Sequence, residues 1–368
     1  MSNSLNILHI CLSKGFGGLE MYPIRVGLTM KGKGHKVFGL SQAQTPIHAR
    51  MQDTFDTNYT LQSRGDGYRH ILSLVKWIKF QQIQYVHCHK SSDLMLAVLL
   101  KKLCGFKLIY TDHMGAKRPK KDVIHRFIYR NVDLVLSISH FTRARNIKAL
   151  PIAENKVKTL WLGTQIHQEG AVESAPLDLK QHFSLPPDAI LIGIVGRLSN
   201  GKGHLELLRA FAGLKSKPIY LIIVGGLTAD TGGDAAYVKT LQAYVIEQDL
   251  TNKVIFYGFS EQPDNVLKAI DVVVIPSHNE AFGLTVIEAM AAGKAIIGSS
   301  HGAIPEILEQ SGELVDPFDT FKFIEIIQKL SGDQEKRQCM SIMAKKRACE
   351  CFDQEKHVDA LLSLYQDA

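Results

Sequence analysis

The 368-residue sequence has few features of a secreted, disulfide-stabilised or membrane-spanning protein. Its six cysteines are scattered along the chain, so we predict reduced thiols of a cytosolic protein rather than disulfides or a metal cluster. The first residues, MSNSLNILHICLSKG, lack the basic segment and the long apolar run of a signal peptide. No stretch approaches the ~20 apolar residues that span a bilayer. We therefore expect a cytoplasmic protein, with any membrane contact being peripheral.

The sequence does contain enough apolar residues for two domains. Its hydrophobic content is 45%, and its length suits two domains of roughly 100–200 residues each. The net charge of +7 fits nucleic acid, anionic lipid or a phosphorylated substrate as a partner, without distinguishing among them. Neither internal repeats nor low-complexity tracts are evident, which excludes solenoid and fibrous architectures.

Both halves of the chain begin with a short apolar strand, a glycine-rich turn and a helix, which is the opening of a doubly wound α/β unit. Residues 5–11 precede the turn at 14–20, and residues 189–195 precede the turn GRLSNGKG. Residues 166–188 are polar and contain three prolines, which predicts a linker between domains 1–165 and 189–350. Residues 351–368 are predicted to include a last helix. Residues 45–67 are polar and irregular, which predicts a loop with short elements.

The most informative stretch is HNEAFGLTVIEAMAAG, residues 278–293, which follows a predicted strand at 271–276. Residues 284–292 favour a helix, and its first free N–H groups and dipole suit an anion such as a phosphate. Gly283 allows close approach of the backbone to a ligand. Glu280 and Glu288 can accept paired hydrogen bonds from vicinal hydroxyls of a sugar or ribose. These acids would repel a phosphate unless cations are nearby, and Arg197 and Lys202 of GRLSNGKG are the best candidates.

Three segments in the same order, GRLSNGKG, PSHNEAFGLTVIEAMAAGKAII and HGAIPEIL, resemble the carboxy-terminal half of a glycosyltransferase of family 4. The resemblance implies the GT-B fold, an α/β architecture of two Rossmann-like doubly wound domains facing each other across a cleft, with the last helix crossing back to the first domain. It implies that Glu280 contacts the donor sugar, that Glu288 holds the ribose, and that Arg197 and Lys202 neutralise the donor diphosphate.

The resemblance also implies roles for residues outside these segments. His113, after a predicted strand at 107–111, would contact the donor sugar in the reaction centre. The other implied donor-binding residues are Gly17, Gly18, Phe259, Phe282, Gly283 and Leu284. The implied acceptor side contains Glu20, His89, Lys117 and Arg118. The family's N-G-x-D segment is replaced here by Leu-Gly-Thr-Gln at 162–165, so no role is transferred to that turn.

Several alternatives remain at particular positions. His87 and His89 match an HxH motif, and we interpret His87 as a hydrogen-bonded residue at a strand end without a partner cluster. Phe259 fits a nucleobase contact or a core aromatic. Lys117, Arg118, Lys120 and Lys121 precede Ile124, Phe127 and Ile128 at helical spacing, which predicts either a solvated loop before a core-facing helix or a surface for membrane or phosphate.

The expected activity is transfer of a sugar from a nucleotide-diphosphate sugar, with UDP favoured over GDP, to a glycan or lipid-linked acceptor. Family membership implies retention of anomeric configuration and a role in lipopolysaccharide or surface-polysaccharide synthesis. No Asp-x-Asp motif stands at an obvious strand end and Arg197 and Lys202 supply two cations, so we expect no required metal or cofactor. We also expect no nucleic-acid partner. A nicotinamide dinucleotide site fits poorly, because Glu20 stands where a small residue is needed. A GT-B epimerase, a pyridoxal-phosphate phosphorylase and a non-catalytic nucleotide-sugar sensor remain as alternatives.

Overall fold

The computed structural model describes residues 4–15, 17–166 and 177–368. The chain forms two compact units, residues 1–163 with 354–368, and residues 164–353. Each unit contains one parallel sheet with helices between successive strands, so the predicted α/β class with two doubly wound domains is confirmed. Residues 167–176 of the predicted linker lie outside the described residues, and the described remainder of that segment includes a single helical turn, Leu179–His182.

The first unit is built on seven parallel strands in the order β3-β2-β1-β4-β5-β6-β7. The strands are β1 Asn6–Cys11, β2 Lys36–Gln42, β3 Thr57–Leu61, β4 Tyr85–Cys88, β5 Lys107–Asp112, β6 Leu134–Ser137 and β7 Val157–Thr159. The helices are α1 Gly18–Gly32, α2 Pro46–Thr54, α3 Arg64–Arg69, α4 Ile71–Phe80, α5 Leu94–Cys104, α6 Val123–Arg130 and α7 His140–Ala149, together with α16 Gln354–Gln366 at the end of the chain.

The second unit is built on six parallel strands in the order β10-β9-β8-β11-β12-β13. The strands are β8 Ile190–Val195, β9 Ile219–Val224, β10 Val254–Gly258, β11 Val272–Ile275, β12 Ala295–Ser299 and β13 Glu313–Val315. The helices are α8 Leu179–His182, α9 His204–Ala212, α10 Ala235–Glu247, α11 Pro263–Ala269, α12 Leu284–Ala291, α13 Ile304–Leu308, α14 Thr320–Gly332 and α15 Gln334–Cys351.

The central strands form because short apolar runs can be buried on both faces of a parallel sheet. Five of the six residues of β1 are buried, as are all four residues of β6 and of β11. Gly27 of α1 and Gly39 of β2 leave room for close packing, since an added Cβ would lie 2.4 Å from the Phe55 ring at position 27 and 2.4 Å from the Asn58 Oδ1 at position 39. Close packing of α1 and α2 against the sheet therefore depends on these two glycines.

The prediction of a loop with short elements over residues 45–67 is right about the short elements and wrong about the loop. This segment forms helix α2, edge strand β3 and the start of helix α3. Its polarity misled the prediction, since α2 buries only Ile47 and Met51, and β3 buries only Leu61. Short peripheral elements need few apolar residues, and their polar side chains remain exposed.

Helix α16 packs within the first unit. Lys33, just after α1, pairs with Glu355 and Asp359 of α16 at 2.8 Å each, and Tyr365 is fully buried. None of the helices that the described residues form is both long and apolar enough to cross a bilayer.

Candidate active site

The predicted residues of the second unit lie at the carboxyl ends of β8 and β11. These strands are paired in the sheet but are not consecutive in the chain, so the direction of the strand order reverses between them. Open α/β sheets bind ligands at such a switch point, beyond the carboxyl ends of the strands. The turn after β8 carries Arg197 and Lys202, and the turn after β11 carries Glu280 and Gly283.

Lys202 and Glu280 meet across this switch point. The Lys202 Nζ lies 2.5 Å from the Glu280 Oε1, and the Ser277 hydroxyl donates to the same oxygen at 2.9 Å. The Lys202 side chain is 39% exposed and that of Glu280 is 17% exposed, so the pair is open to a ligand. Arg197 is exposed and forms no ion pair with any residue that the structure describes. The site therefore offers one paired and one unpaired cation beside a carboxylate.

A small cavity of about 30 Å³ adjoins this pair, lined by Arg197, Lys202, Glu280 and Thr285 among others. His204, the first residue of α9, also lines it, is 1% exposed, and has both ring nitrogens buried without a partner among the described residues. Burial, together with the nearby Lys202 charge, lowers the pKa of His204 to about 4. Sequence reasoning missed His204, although its position directly after the lysine-glycine pair at a helix start was a usable signal.

The turn after β8 approaches the β11 chain so closely that only glycine fits at position 203. Gly203 has φ +79°, and an added Cβ would lie 2.0 Å from the Pro276 carbonyl oxygen. The His278 amide donates to the Gly201 carbonyl oxygen at 2.9 Å, which joins the same two turns. Lys202 is thus held between two points of contact with the turn that carries Glu280.

We expect Gly203→Ala to destabilise the second unit much more than Gly201→Ala. Gly203 and Gly201 have positive φ, +79° and +85° respectively. Alanine in this left-handed conformation costs about 1–2 kcal/mol of stability at each position. At position 201 nothing lies within 4 Å of the added Cβ, whereas at 203 the Cβ meets backbone. Urea unfolding of both variants would measure the difference, and equal losses would show that the close approach to Pro276 is unimportant.

Helix α12 begins at Gly283, which has φ +97° and caps the helix without a side-chain hydrogen bond. Leu284 is half-buried, and Glu288 is half-buried one turn further along the helix. Phe282 is 2% exposed and packs 6.1 Å from the Phe352 ring. Phe282 is therefore a core side chain, and only its backbone could contact a donor. The free N–H groups of the first helical turn face a site where an anion is favoured.

Phe259 follows edge strand β10 and is 59% exposed, so the alternative of a core aromatic is wrong. It lines a depression of about 500 Å³ with Tyr257, Gln262 and Asn265. The Asn265 amide donates to the Gln262 side-chain oxygen at 2.8 Å. An exposed ring beside two amide side chains suits a planar, hydrogen-bonding group such as a nucleobase.

The first unit has a corresponding switch point between β1 and β4. Gly17 caps α1, Gly18 is its first residue, and Glu20 lies in its first turn, only 9% exposed. The Ser13 hydroxyl donates to the Glu20 Oε1 at 2.6 Å, and the Lys90 ammonium donates to the Ser13 hydroxyl at 3.2 Å. Lys90 follows β4, so residues after two paired strands meet here as predicted for a doubly wound sheet.

The interpretation that His87 and His89 lack a partner cluster is wrong. Parallel pairing sets His9 of β1 directly opposite His87 of β4, and the His9 Nδ1 lies 2.9 Å from the His89 Nε2. Ring nitrogens of the three residues lie within 4.8 Å of one another, close enough to share a metal ion. Both nitrogens of His87 are already hydrogen-bonded, however, to the Thr111 hydroxyl and the Tyr365 hydroxyl at 2.6 Å each. This geometry favours a hydrogen-bonded network.

His113 follows β5 and is 7% exposed, with its Nε2 buried and without a partner among the described residues. The turn that holds it is formed by the Asp112 carboxylate, which accepts from the Met114 and Gly115 amides at 3.0 Å each. The Tyr22 ring packs edge-on against His113 at 5.0 Å. Burial lowers the pKa of His113 to about 3, as it does for His9. His113 is thus a neutral imidazole with one ring nitrogen available.

Lys117 and Arg118 are exposed in the loop before α6. The alternative of a core-facing helix is right for only part of α6, and the alternative of a membrane or phosphate surface stays a prediction. Ile128 is buried, whereas Val123, Ile124 and Phe127 are 81%, 60% and 42% exposed. Helix α6 therefore presents an uncovered apolar strip next to a basic loop.

Two doubly wound units with polar and charged residues at both switch points define a two-domain α/β protein with a candidate ligand site in each unit. Family comparison specifies the class. Residues 16–167 match the model described as Glycosyltransferase Family 4, and residues 178–347 match the model described as Glycosyl transferases group 1. The chain belongs to glycosyltransferase family 4, and it is a glycosyltransferase of the GT-B type.

Individual relatives are distant but cover most of the chain. A D-inositol 3-phosphate glycosyltransferase from Saccharomonospora viridis is 26% identical over 78% of this chain and 72% of its own length. A lipopolysaccharide core biosynthesis mannosyltransferase, LpsB of Rhizobium meliloti, is 24% identical over 81% of this chain and 84% of its own. The structure of Anabaena HepE superposes with a TM-score of 0.83 at 21% identity, covering 99% of this chain and 100% of that one.

Proposed function

We propose that this glycosyltransferase moves a sugar from a nucleotide-diphosphate sugar, with UDP favoured, to a glycan or lipid-linked acceptor with retention of anomeric configuration. The second unit binds the donor, and residues of the first unit, with Glu20 and His89 among them, recognise the acceptor. The biological setting that we propose is synthesis of lipopolysaccharide or another surface polysaccharide.

The observation that carries this proposal is the meeting of Lys202 and Glu280 at the switch point of the second sheet, 2.5 Å apart. A diphosphate can replace the carboxylate as the partner of Lys202, with Arg197 as the second cation. Glu280 is then released to accept hydrogen bonds from sugar hydroxyls. The N–H groups at the start of α12 add positive potential at the same place. Charge that develops on the leaving diphosphate is thereby stabilised, which is electrostatic catalysis.

In the reaction, the bond between the anomeric carbon and the diphosphate oxygen breaks, and the acceptor oxygen bonds to the anomeric carbon. The acceptor proton moves to the departing diphosphate, which assists attack from the same face and preserves the configuration. His113, neutral and with a buried free nitrogen, would orient a sugar hydroxyl in this step. Neither the departing diphosphate nor His113 requires a bound cofactor for this role.

The preference for UDP is supported by the exposed Phe259 ring and its neighbouring amides, and by the occupants of a related structure. Anabaena HepE was solved with UDP and glucose bound. Its likeness to this chain concerns the fold, so the base and the sugar need a direct test. The names of the relatives differ in what they specify: one is a D-inositol 3-phosphate glycosyltransferase and another a mannosyltransferase of lipopolysaccharide core biosynthesis. The acceptor is therefore to be identified by the same kind of screen.

A thermal-shift panel of nucleotides and nucleotide sugars tests the donor proposal. A ligand at 100 times its dissociation constant should add about 2.7 kcal/mol of stability, and Glu288→Ala should lose that response for the matching nucleotide. Glu247→Ala, an exposed change at the end of α10, is the matched control and should respond like the unmodified protein. A response to NAD alone, or silence across the panel, would overturn the proposed donor.

We also propose that the loop before α6 and the apolar strip of α6 contact an anionic membrane. Exposed apolar side chains beside clustered cations are the composition of interfacial helices. Each cation near an anionic surface contributes about 1 kcal/mol, so the basic loop, with the strip of Val123, Ile124 and Phe127, would give reversible binding.

Charge reversal of Lys117, Arg118, Lys120 and Lys121 to glutamate should abolish co-sedimentation with vesicles containing phosphatidylglycerol. Ile124→Ser with Phe127→Ser should weaken binding while preserving its salt dependence, because these residues supply apolar rather than electrostatic attraction. Vesicles of phosphatidylcholine alone are the control. Unchanged sedimentation of the charge-reversed variant would refute the proposed membrane contact.

A further inference from the structure

A second group of cations on the first unit surrounds a depression that the proposed function does not use. Arg126 and Arg130 are four residues apart, so they project from the same side of α6. Lys156 enters from the connection between α7 and β7. The depression has a volume of about 400 Å³ and is lined by Arg126, Tyr129, Arg130, Pro151, Ile152, Ala153 and Lys156. Sites for small ligands commonly have volumes of about 300–1,000 Å³.

The charge around this depression is not compensated. None of the three cations forms an ion pair within the described part of the chain. The acidic residues nearest in sequence are engaged elsewhere. Glu154 pairs with Arg143 at 3.3 Å, Asp122 with His125 at 2.5 Å, and Asp133 with Lys101 at 2.5 Å. Like charges around one concave surface repel each other and focus positive potential into it.

Helix electrostatics accounts for only part of this arrangement. Arg130 lies in the last turn of α6, where a cation is favoured by the helix dipole. Lys156 belongs to a different segment and gains nothing from that dipole. Arg126 is in the middle of the helix, where the dipole has little effect. A bound anion would compensate all three charges, and phosphate offers several acceptor oxygens to separate donors.

The position of the depression indicates where the phosphate comes from. Arg126 and Arg130 lie on the same helix, α6, as the exposed Phe127, which belongs to the strip that we propose to contact the membrane. A lipid whose acyl chains meet that strip would carry its phosphate at the level of these cations. We infer that Arg126, Arg130 and Lys156 form a discrete binding site for the phosphate of a lipid head group. This inference rests on the proposed membrane contact, and it adds a saturable site to a diffuse basic surface.

Two lysines in one short segment provide a matched test. Lys156 lines the depression, whereas Lys158 is exposed two residues later in β7 and does not line it. Both Lys156→Ala and Lys158→Ala remove one positive charge. A discrete site predicts that Lys156→Ala weakens binding roughly tenfold, as expected for loss of a charge-assisted hydrogen bond, whereas Lys158→Ala has only a slight effect.

The probes are sn-glycerol 3-phosphate in solution and phosphatidylcholine vesicles containing phosphatidylglycerol. Amide NMR with glycerol phosphate should show saturable shifts at residues 126–130 and 152–156, which chloride at equal ionic strength does not produce. Vesicle co-sedimentation should rank the two lysine variants in the same order. That pair of results would support the lipid-phosphate site.

Two other outcomes separate this inference from the proposed function. If vesicles bind, the two lysine variants behave alike, and glycerol phosphate produces no saturable shift, the discrete site is refuted while the membrane contact stands. If glycerol phosphate binds with the expected dependence on Lys156 but vesicles do not bind at all, a soluble phosphate compound is the ligand. The lipid source and the proposed membrane contact are then both refuted.

Discussion

Lys202→Ala should lower kcat for sugar transfer by about 10²–10³-fold, the range expected when one preorganised group that stabilises developing charge is removed. The charge on the diphosphate grows as the sugar–phosphate bond breaks, so the lysine acts more strongly on the transition state than on the bound donor. The turn that carries Lys202 lies close to Pro276 and His278, and these contacts fix the position of the lysine. Nucleotide release from the donor found by thermal shift would be the assay.

Lys215→Ala is the matched control, because Lys215 is an exposed lysine in the turn after α9 and does not line the cavity. It should retain normal kinetics. Glu280→Gln should also reduce turnover, while keeping the shape of the site and removing the partner of Lys202. A raised KM with unchanged kcat for Lys202→Ala would contradict the proposed role, because it would mean that the lysine binds donor and transition state equally.

Mild acid should unfold the first unit before the second. Burial lowers the pKa of His9 and His113 to about 3 and that of His357 to about 4, and it lowers the pKa values of His87 and His89 well below the usual 6.5. These imidazoles are neutral in the folded unit but take up protons in the unfolded chain below pH 6.5. Stability is therefore complete above about pH 6.5 and falls as the pH drops, until the folded pKa values near 3 are reached.

The expected loss is large. Each such histidine contributes a slope of about 1.4 kcal/mol per pH unit. His9 and His113 alone would then remove up to about 5 kcal/mol between pH 6.5 and 4.5, against a typical total stability of 5–15 kcal/mol. In the second unit, His204 is the described histidine with a comparable lowering. Hydrogen exchange followed by mass spectrometry at pH 7, 5.5 and 4.5 would resolve the two units.

His9→Gln provides a direct check of the cause. It removes one titrating imidazole while keeping a side chain that can hydrogen-bond to His89, and it should reduce the loss of stability between pH 6.5 and 5 by about 2 kcal/mol. His70→Gln changes an exposed histidine outside the network and is the control. Equal loss of stability in His9→Gln and the unmodified protein would show that acid acts elsewhere.

Much of the second unit could be predicted from local sequence. The strands before Arg197 and Glu280 are short apolar runs flanked by glycine and polar residues. Such runs form strands that are buried on both faces of a parallel sheet. The helix after Gly283 was predicted within one residue of its observed end. The roles of these residues in donor binding remain predictions.

Contacts between strands distant in sequence were harder to foresee. His9 and His87 are neighbours only because β1 and β4 pair in a particular register, and no local pattern records which strands pair. The interpretation of His87 as a hydrogen-bonded residue near a strand end is confirmed, whereas the expectation that it lacks a partner cluster failed for that reason. The same limit concealed the hydrogen bond that the Lys90 ammonium donates to the Ser13 hydroxyl, which in turn donates to Glu20.

The sequence alone determined the α/β class, the two-unit organisation and the family, because apolar runs, glycine turns and a spaced motif are local signals. Only the tertiary structure decided which side chains of a mixed pattern are covered. Helical spacing grouped Ile124, Phe127 and Ile128, yet Ile128 is buried in the core of the first unit and the other two are exposed. The tertiary structure also decided that Lys202 reaches Glu280 and that Arg126, Arg130 and Lys156 share one depression. Burial and charge pairing depend on what folds against a residue, and that information lies elsewhere in the chain.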